Sequence, residues 1–365
     1  MELLLIFIVI SICTLAIERI YSYVWSKGLR IQIGFSKTYV KNGEKTDIIE
    51  KLYNISHVFM PVITLKYVIH RNGEEYEHKM ETFSLLYRQK VTRKSAFDTS
   101  KRGVYTIDKV YASSKGIFLR ELYVHNYEYE AGMIVYPKLS DVSAINIPAI
   151  VLSGDYKSDT RLIENPFFFR GIRDYDSKDS VSRINWNATA ATGKMMVNSF
   201  DDSRNMSLTI MLQLPDDKIN YAKELAEESI SVAAGIYKEM LAKNMPVSFT
   251  CNGTDCITGY QIMLPERSDA AYLNVALESL ARVNENNLVK DVYIKEAVSQ
   301  STIILIAQAI DVNGTIIAKV REMCNKGYKV VWVIVEKRGT VDEKDIEKQV
   351  SDFRKDNLSI NMWWI

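Results

Sequence analysis

A chain of 365 residues is long for one ordinary domain and comfortable for two, and its 47% hydrophobic and 25% charged residues are enough to build packed cores. That balance excludes a disordered, collagenous or low-complexity chain. The 46 Lys plus Arg against 45 Asp plus Glu leave a net charge of +1, without the basic excess of a nucleic-acid binder, and 4 Cys and 4 His are too few for a disulfide framework or zinc scaffold.

In chain order, the first element is Leu3 to Ile17, almost unbroken aliphatic, interrupted only by Ser11, Cys13 and Thr14. It is shorter than the roughly 20 residues that span a bilayer, but extends past Glu18 and Arg19 to Ile20, Tyr21, Tyr23 and Trp25. Those aromatics stand where an interfacial belt is expected. No Lys or Arg precedes the run, which argues against the basic start of a signal peptide. Residues 1–25 are therefore predicted as a single transmembrane anchor. Arg19, Lys27, Arg30 and Lys37 all follow the apolar run, so the positive-inside rule places the bulk of the chain in the cytoplasm, on the cell membrane.

Residues 26–140 read as β structure. Runs such as IQIGF, VITLKYVIH and VYTIDKVYA are separated by turn signals at Asn42-Gly43, Asn72-Gly73, Arg102-Gly103 and Lys115-Gly116. Short strands with little helical periodicity predict a small antiparallel sandwich. Residues 141–205 form a charged connector with no clear strand ladder, and balanced signs there favour internal ion pairs.

Over residues 206–365 the period changes. A strand is predicted at Met206–Leu214, then a long helix with apolar positions from Ile219 to Leu241. Strands at Pro246–Thr250 and Gly259–Leu264 flank a Cys251–Cys256 hairpin turn. Helices near Ala270–Val283 and Val289–Val298, strand Ser301–Ala309, helix Thr315–Asn325 and strand Tyr328–Val335 follow. Alternation of helices with apolar strands predicts a three-layer α/β domain. The fold class is thus α+β multidomain: a transmembrane helix, an antiparallel β-sandwich-like domain and a C-terminal α/β domain.

The connector carries Arg173, Tyr175, Asp179, Arg183, Ile184 and Trp186 within one stretch. This spacing resembles the signature of the domain of unknown function 58 (DUF58) family. Arg102-Gly103-Val104-Tyr105, Lys115-Gly116-Ile117-Phe118 and Val135-Tyr136-Pro137 resemble further landmarks of that family. The chain looks like a divergent member: Lys178 stands in place of the usual Gly, Ala191 where Arg is common, and one span is legible where two are common. The resemblance implies a von Willebrand factor A-like C-terminal domain and association with a MoxR-type AAA+ ATPase. The expected function is that of a membrane-anchored adaptor or scaffold in protein–protein interaction, with no nucleic-acid partner. Read from the residues alone, Arg173 and Arg183 with Asp174, Asp176 and Asp179, beside the broad apolar Trp186, suit either a clamp between domains or a partner surface.

A von Willebrand A-like domain often holds Mg²⁺ through Asp-x-Ser-x-Ser, because a hard cation needs oxygen ligands. Here that spacing falls on Gln213, Pro215 and Asp217, and the second ligand position on Gln308 and Asp311, a degenerate set from which no metal is expected. Asp216 and Asp217 read as capping residues of the long helix. His57, His70, His78 and His125 are scattered through the β domain. There is no P-loop and no Gly-x-Ser-x-Gly elbow, so no catalytic residue and no cofactor is expected. The docking edge is expected near Gln213–Asp217 and Gln308–Asn313, at the ends of the sheet strands. Two alternatives stay open: an extracytoplasmic envelope protein binding polymer or peptide, with a Cys251–Cys256 disulfide, and a divalent-metal-dependent hydrolase.

Overall fold

The computed structural model describes residues 2–118, 122–143, 145, 169–176, 184–200, 208–289, 302–309, 315–340, 344, 346 and 358–365. Two compact units emerge, one of residues 1–145 with 208–365 and one of residues 146–207.

The apolar N-terminus folds as one helix, α1 (Glu2–Gly28), long and apolar enough to cross a membrane and with none of its most apolar stretch buried in protein. Its second half corrects the aromatic-belt expectation. Tyr21 and Trp25 are buried in the core of the β domain, and Tyr21 Oη lies 2.5 Å from Ser114 Oγ. Glu18 accepts from Phe118 N at 2.9 Å and from Tyr123 Oη at 3.4 Å, and Tyr127 Oη donates to Ser26 O. Only Tyr23 stays outside, with Lys27 Nζ 3.9 Å from its ring centre. Gly28 ends the helix against Ser56, whose Cβ would stand 2.6 Å from any side chain there, so a glycine is required. The chain enters the first strand with no intervening linker.

That strand, β1 (Leu29–Phe35), opens the β domain, with β2 (Tyr39–Val40), β3 (Thr46–Asn54), β4 (Met60–Arg71), β5 (Glu74–Leu85), β6 (Lys90–Phe97), β7 (Gly103–Lys115) and β8 (Leu122–Val135). They form a sheet β1-β3-β6 and a sheet β2-β8-β7-β4-β5, whose only parallel pair is β2 with β8. Alternation does the sorting: in β3, Ile48, Glu50 and Leu52 point inward, and they meet Ile63, Leu65, Tyr67 and Ile107 of the other sheet in one apolar cluster. Asn72 and Gly73, both at positive φ, turn β4 into β5 as a tight hairpin. The buried Glu50 accepts from Tyr67 Oη at 2.6 Å, and burial pushes its carboxyl above the usual range. β5 is an edge strand carrying Glu74, Glu75, Glu77 and Glu81.

The second unit contains β9 (Phe169–Asp174), α2 (Trp186–Thr192) and β10 (Met196–Phe200). β9 and β10 pair antiparallel, extended by a bridge between Ile184 and Val197. The connector therefore does hold a strand ladder, which its charge density and short apolar runs concealed. Asn185 caps α2 by accepting from Ala188 N, and donates to Asn198 Oδ1 of β10.

The α/β domain runs β11 (Leu208–Leu212), α3 (Ala222–Ala242), β12 (Val247–Asp255), β13 (Gln261–Arg267), α4 (Leu273–Ala281), β14 (Val283–Leu288), β15 (Thr302–Ala307), α5 (Thr315–Asn325), β16 (Lys329–Glu336) and β17 (Leu358–Trp364). The sheet order is β13-β12-β11-β15-β16-β17, parallel except for β13, with β14 pairing antiparallel to the end of β12. Counted within the domain and leaving out β14, this is the order 3-2-1-4-5-6 with its third strand antiparallel, and its switch point lies between β11 and β15. Met211, Ile303, Leu305, Val330, Trp332 and Ile334 pack with Ile316, Val320 and Met323 of α5. The alternate side chains of those strands face α3, which is buried along most of its length.

Three sequence expectations change here. Residues 283–288, between the expected Ala270–Val283 and Val289–Val298 helices, form an unanticipated strand, β14, and residues 290–298 of the second helix lie outside the described residues. Cys251 to Asp255 belongs to β12, so the hairpin turn follows Cys256 instead of joining the two thiols. The outer strand β17 went unread, because LSINMWW lacks the continuous aliphatic run of its neighbours.

Candidate functional site

The C-terminal edge of the parallel strands is the crevice where open α/β sheets take ligands. At its switch point Gln213 follows β11 and donates its backbone N–H to Ile306 O, while Gln308 follows β15. Gln308 is buried, its Nε2 3.4 Å from Ser229 Oγ of α3, and neither glutamine's buried Oε1 has a hydrogen-bond partner. The loops around them are held from beneath. Buried Asn252 of β12 both accepts from Leu214 N and donates to Leu214 O, and Glu336 of β16 accepts from Ala309 N at 2.9 Å.

Asp216 and Asp217 do not cap α3, contrary to expectation. Asp216 Oδ1 accepts from Lys218 N, and Ala222 N bonds to Ile219 O. The helix then starts from Tyr221 at φ 62, with no side-chain cap. A turn with a left-handed residue separates the aspartates from the helix. Asp217 instead lines an open groove of about 380 Å³ with Ile219, Tyr221, Lys223, Glu224 and Asn286. Lys337, one residue past β16, places Nζ 3.5 Å from the Tyr221 ring centre and 3.2 Å from Glu224. A protein cation thus stands at the mouth of α3. Among the described residues no three His, Cys, Asp or Glu gather as a metal site, and Asp311 lies outside the described residues.

Beneath this edge a buried charge cluster joins the β domain to the α/β domain. Arg102, 1% exposed in its side chain, donates through Nη1 to Leu280 O, Ala281 O and Val283 O at 3.4, 3.2 and 2.9 Å. It thereby satisfies carbonyls at the C-terminus of α4. Its Nε lies 3.0 Å from Glu227 and its Nη2 3.6 Å from Glu285, both off the hydrogen-bond line, so these are ion pairs without directed bonds. Arg71 completes the cluster, donating to Arg102 O and to Glu227 Oε1 at 2.8 Å. Burial raises the Glu285 carboxyl above its usual range, with Arg102 opposing and Glu227 adding to the shift. The sequence flagged Arg102 only as part of a turn signal and of the family-like Arg-Gly-Val-Tyr run. Nothing in the sequence indicated Glu227, Glu285, Asn252, Glu336 or Lys337, which act through contacts between distant segments.

The signature residues lie in the second unit. Arg173 is exposed and donates to Asp174 O, and Tyr175 N bonds to Met195 O. Trp186 is 65% exposed at the start of α2. Asp179 and Arg183 lie outside the described residues. Cys251 and Cys256 are free thiols, and burial pushes them up to about 12 and about 11.

No family model and no curated protein matches the chain. Solved structures resemble parts of it. The conserved hypothetical protein BatB from Bacteroides thetaiotaomicron is 14% identical, with 44% of this chain and 90% of that chain covered at a TM-score of 0.29. The C-terminal domain of wzt is 12% identical over 31% and 75% of the two chains, at a TM-score of 0.25. The CARDB domain of PF1109 from Pyrococcus furiosus, solved with di-metal ions, is 14% identical over 30% and 90%, at 0.22.

Proposed function

We propose that this chain is a membrane-anchored interaction scaffold of the DUF58 type, with its bulk in the cytoplasm and a von Willebrand factor A-like domain that docks a partner at its C-terminal sheet edge. The observation that carries this reading is the direct join of a membrane-length helix to a β domain that Arg102 in turn fixes to the α/β domain. Such a body holds a surface at a set place rather than closing around a substrate. The strand order 3-2-1-4-5-6 supports the von Willebrand A-like reading. At the edge, Asn252 and Glu336 pin loops, and Lys337 occupies the mouth of α3. The signature resemblance supplies the partner, a MoxR-type AAA+ ATPase. Free Cys251 and Cys256 weigh against the extracytoplasmic alternative, which predicted their pairing.

The test is affinity capture of the full chain from gently solubilised host membranes with ATP present, read by mass spectrometry. A chain with Asp217→Arg, altered at the exposed groove, is the control. Recovery of an AAA+ ATPase by the native chain and its loss with Asp217→Arg is the expected result. Equal recovery by both chains removes the groove from the interface. No AAA+ ATPase after crosslinking overturns the scaffold reading.

A further inference from the structure

The end of the β domain from which α1 departs is built differently from the rest of its surface. Three inter-strand loops gather there: residues 55–59 between β3 and β4, 86–89 between β5 and β6, and the segment after β7 beginning at Gly116. The pairings Met60–Leu85, Val62–Lys115 and Lys115–Leu122 put them at one end. Each loop carries large apolar side chains outward: Ile55 and Phe59, Leu86 and Tyr87, and Phe118 with Leu122 just beyond, 40–66% exposed. Several of the loop backbone groups are nonetheless bonded to protein. Buried Asn54 donates to Val58 O and Leu86 O and accepts from Ser56 N, while Gln89 Oε1 accepts from Leu86 N and Glu18 from Phe118 N. Apolar tips on loops whose backbone is partly bonded to protein suit an environment poor in water.

The anchor's length names that environment. The apolar run free of the β domain, Leu3 to Ile17, is fifteen residues or about 22 Å of helix. A hydrocarbon core is about 30 Å thick. The helix cannot slide outward, because Glu18, Tyr21 and Trp25 are fastened inside the β domain. The bilayer surface must therefore rise to the loops around the helix exit. Charge agrees in sign: the loops of residues 54–60, 86–90 and 115–122 contain Arg88, Lys90, Lys115 and Arg120 against Glu121, and α1 adds Arg19 and Lys27 on its exposed face against Glu18.

We propose that this loop end is a lipid-binding surface: Phe59, Leu86, Tyr87 and Phe118 enter the interface of an anionic bilayer while Arg88, Lys90 and Lys115 meet its headgroups. The proposal rests on α1 crossing the membrane and adds that the β domain is itself seated in the leaflet.

The experiment reconstitutes the full chain in vesicles of phosphatidylcholine and phosphatidylglycerol. Cys13, Cys256 and Cys324 are changed to Ser, and an environment-sensitive probe is attached after Tyr87→Cys, Phe118→Cys or, in the α/β domain just past α5, Lys326→Cys. Lipids brominated near the headgroup end of their chains should quench the probes at 87 and 118 at least about twofold more than the probe at 326. Alkaline carbonate extraction of the same vesicles tests the anchor separately. Carbonate-resistant chains with equal, weak quenching at all three positions overturn the seating and leave the anchor intact. Probes shielded from iodide but not quenched by lipid indicate a second protein copy on this face, and also overturn it. Chains released by carbonate refute the anchor on which the proposal depends.

Discussion

Replacing Arg102 tests the join between the two domains of the larger unit. In Arg102→Met the stem stays and the guanidinium goes, leaving three carbonyls at the α4–β14 junction without their donor and Glu285 without its counter-charge. Removing one partner of a buried ion pair costs about 3–5 kcal/mol. Glu227 adds little, since it is more than a third exposed and keeps Arg71. Glu285 sets the pH dependence. Its folded-state carboxyl is raised, so its contribution is complete below the ordinary value of 4.5 and is lost as pH rises through the folded value. Without Arg102 that loss is larger, and the variant's deficit should be greater at pH 8 than at pH 5. Adding Glu285→Gln should recover about 1–3 kcal/mol by removing the uncompensated charge. Hydrogen exchange of the detergent-solubilised chain gives the local readout, with loss of protection expected over 273–288 and 103–107. A deficit below about 1 kcal/mol, or unchanged exchange in those segments, would refute the assignment of Arg102 as the fastening between domains.

Glu50→Gln should stabilise the β domain at pH 8 and flatten its pH profile: the raised carboxyl favours folding below 4.5 and loses that contribution as pH climbs, and an amide imitates the protonated form. Thermal melts at pH 5 and 8 decide it, and a lower melting point at pH 8 contradicts the burial argument. Gly235→Ala in α3 sets a helix-propensity gain of about 1 kcal/mol against a Cβ only 2.3 Å from Ser140 O, and the clash with backbone should prevail by about 1–3 kcal/mol. Urea unfolding of the variant measures the sign. Cys256, raised from 9.0 to about 11, should react with a soluble disulfide reagent at pH 8 about a hundredfold more slowly than an unperturbed thiol, and buried Cys251 more slowly still.

The elements set by local pattern were legible. Continuous aliphatic runs announced β15 and β16, steps of three and four announced α3, and α5 falls on Thr315–Asn325 as its pattern predicts. Asn72-Gly73 gave its hairpin because only such residues tolerate two successive positive φ values. What stayed hidden depends on contact between distant segments. Tyr21 and Trp25 have the composition of a membrane belt, and only the β domain around them, with Ser114 and Tyr123 against Tyr21, makes them core. Of the candidate site, the Gln213–Asp217 loop was foreseen as the sheet edge. Lys337, Glu336 and Asn252 were not, since a charge or amide ending a strand has no distinctive spacing.

The glutamates of β5 acquire a further meaning under the membrane anchoring proposed above. Molecules held upright in one bilayer share an orientation and a plane, and so they meet side by side far more often than molecules tumbling in solution. An uncovered strand of twelve residues would then be a template for sheets growing from copy to copy. Glu74, Glu75, Glu77 and Glu81 outnumber Lys79 along it even with Arg93 on Glu81, so self-pairing brings mostly like charges together and disfavours sheets running from copy to copy.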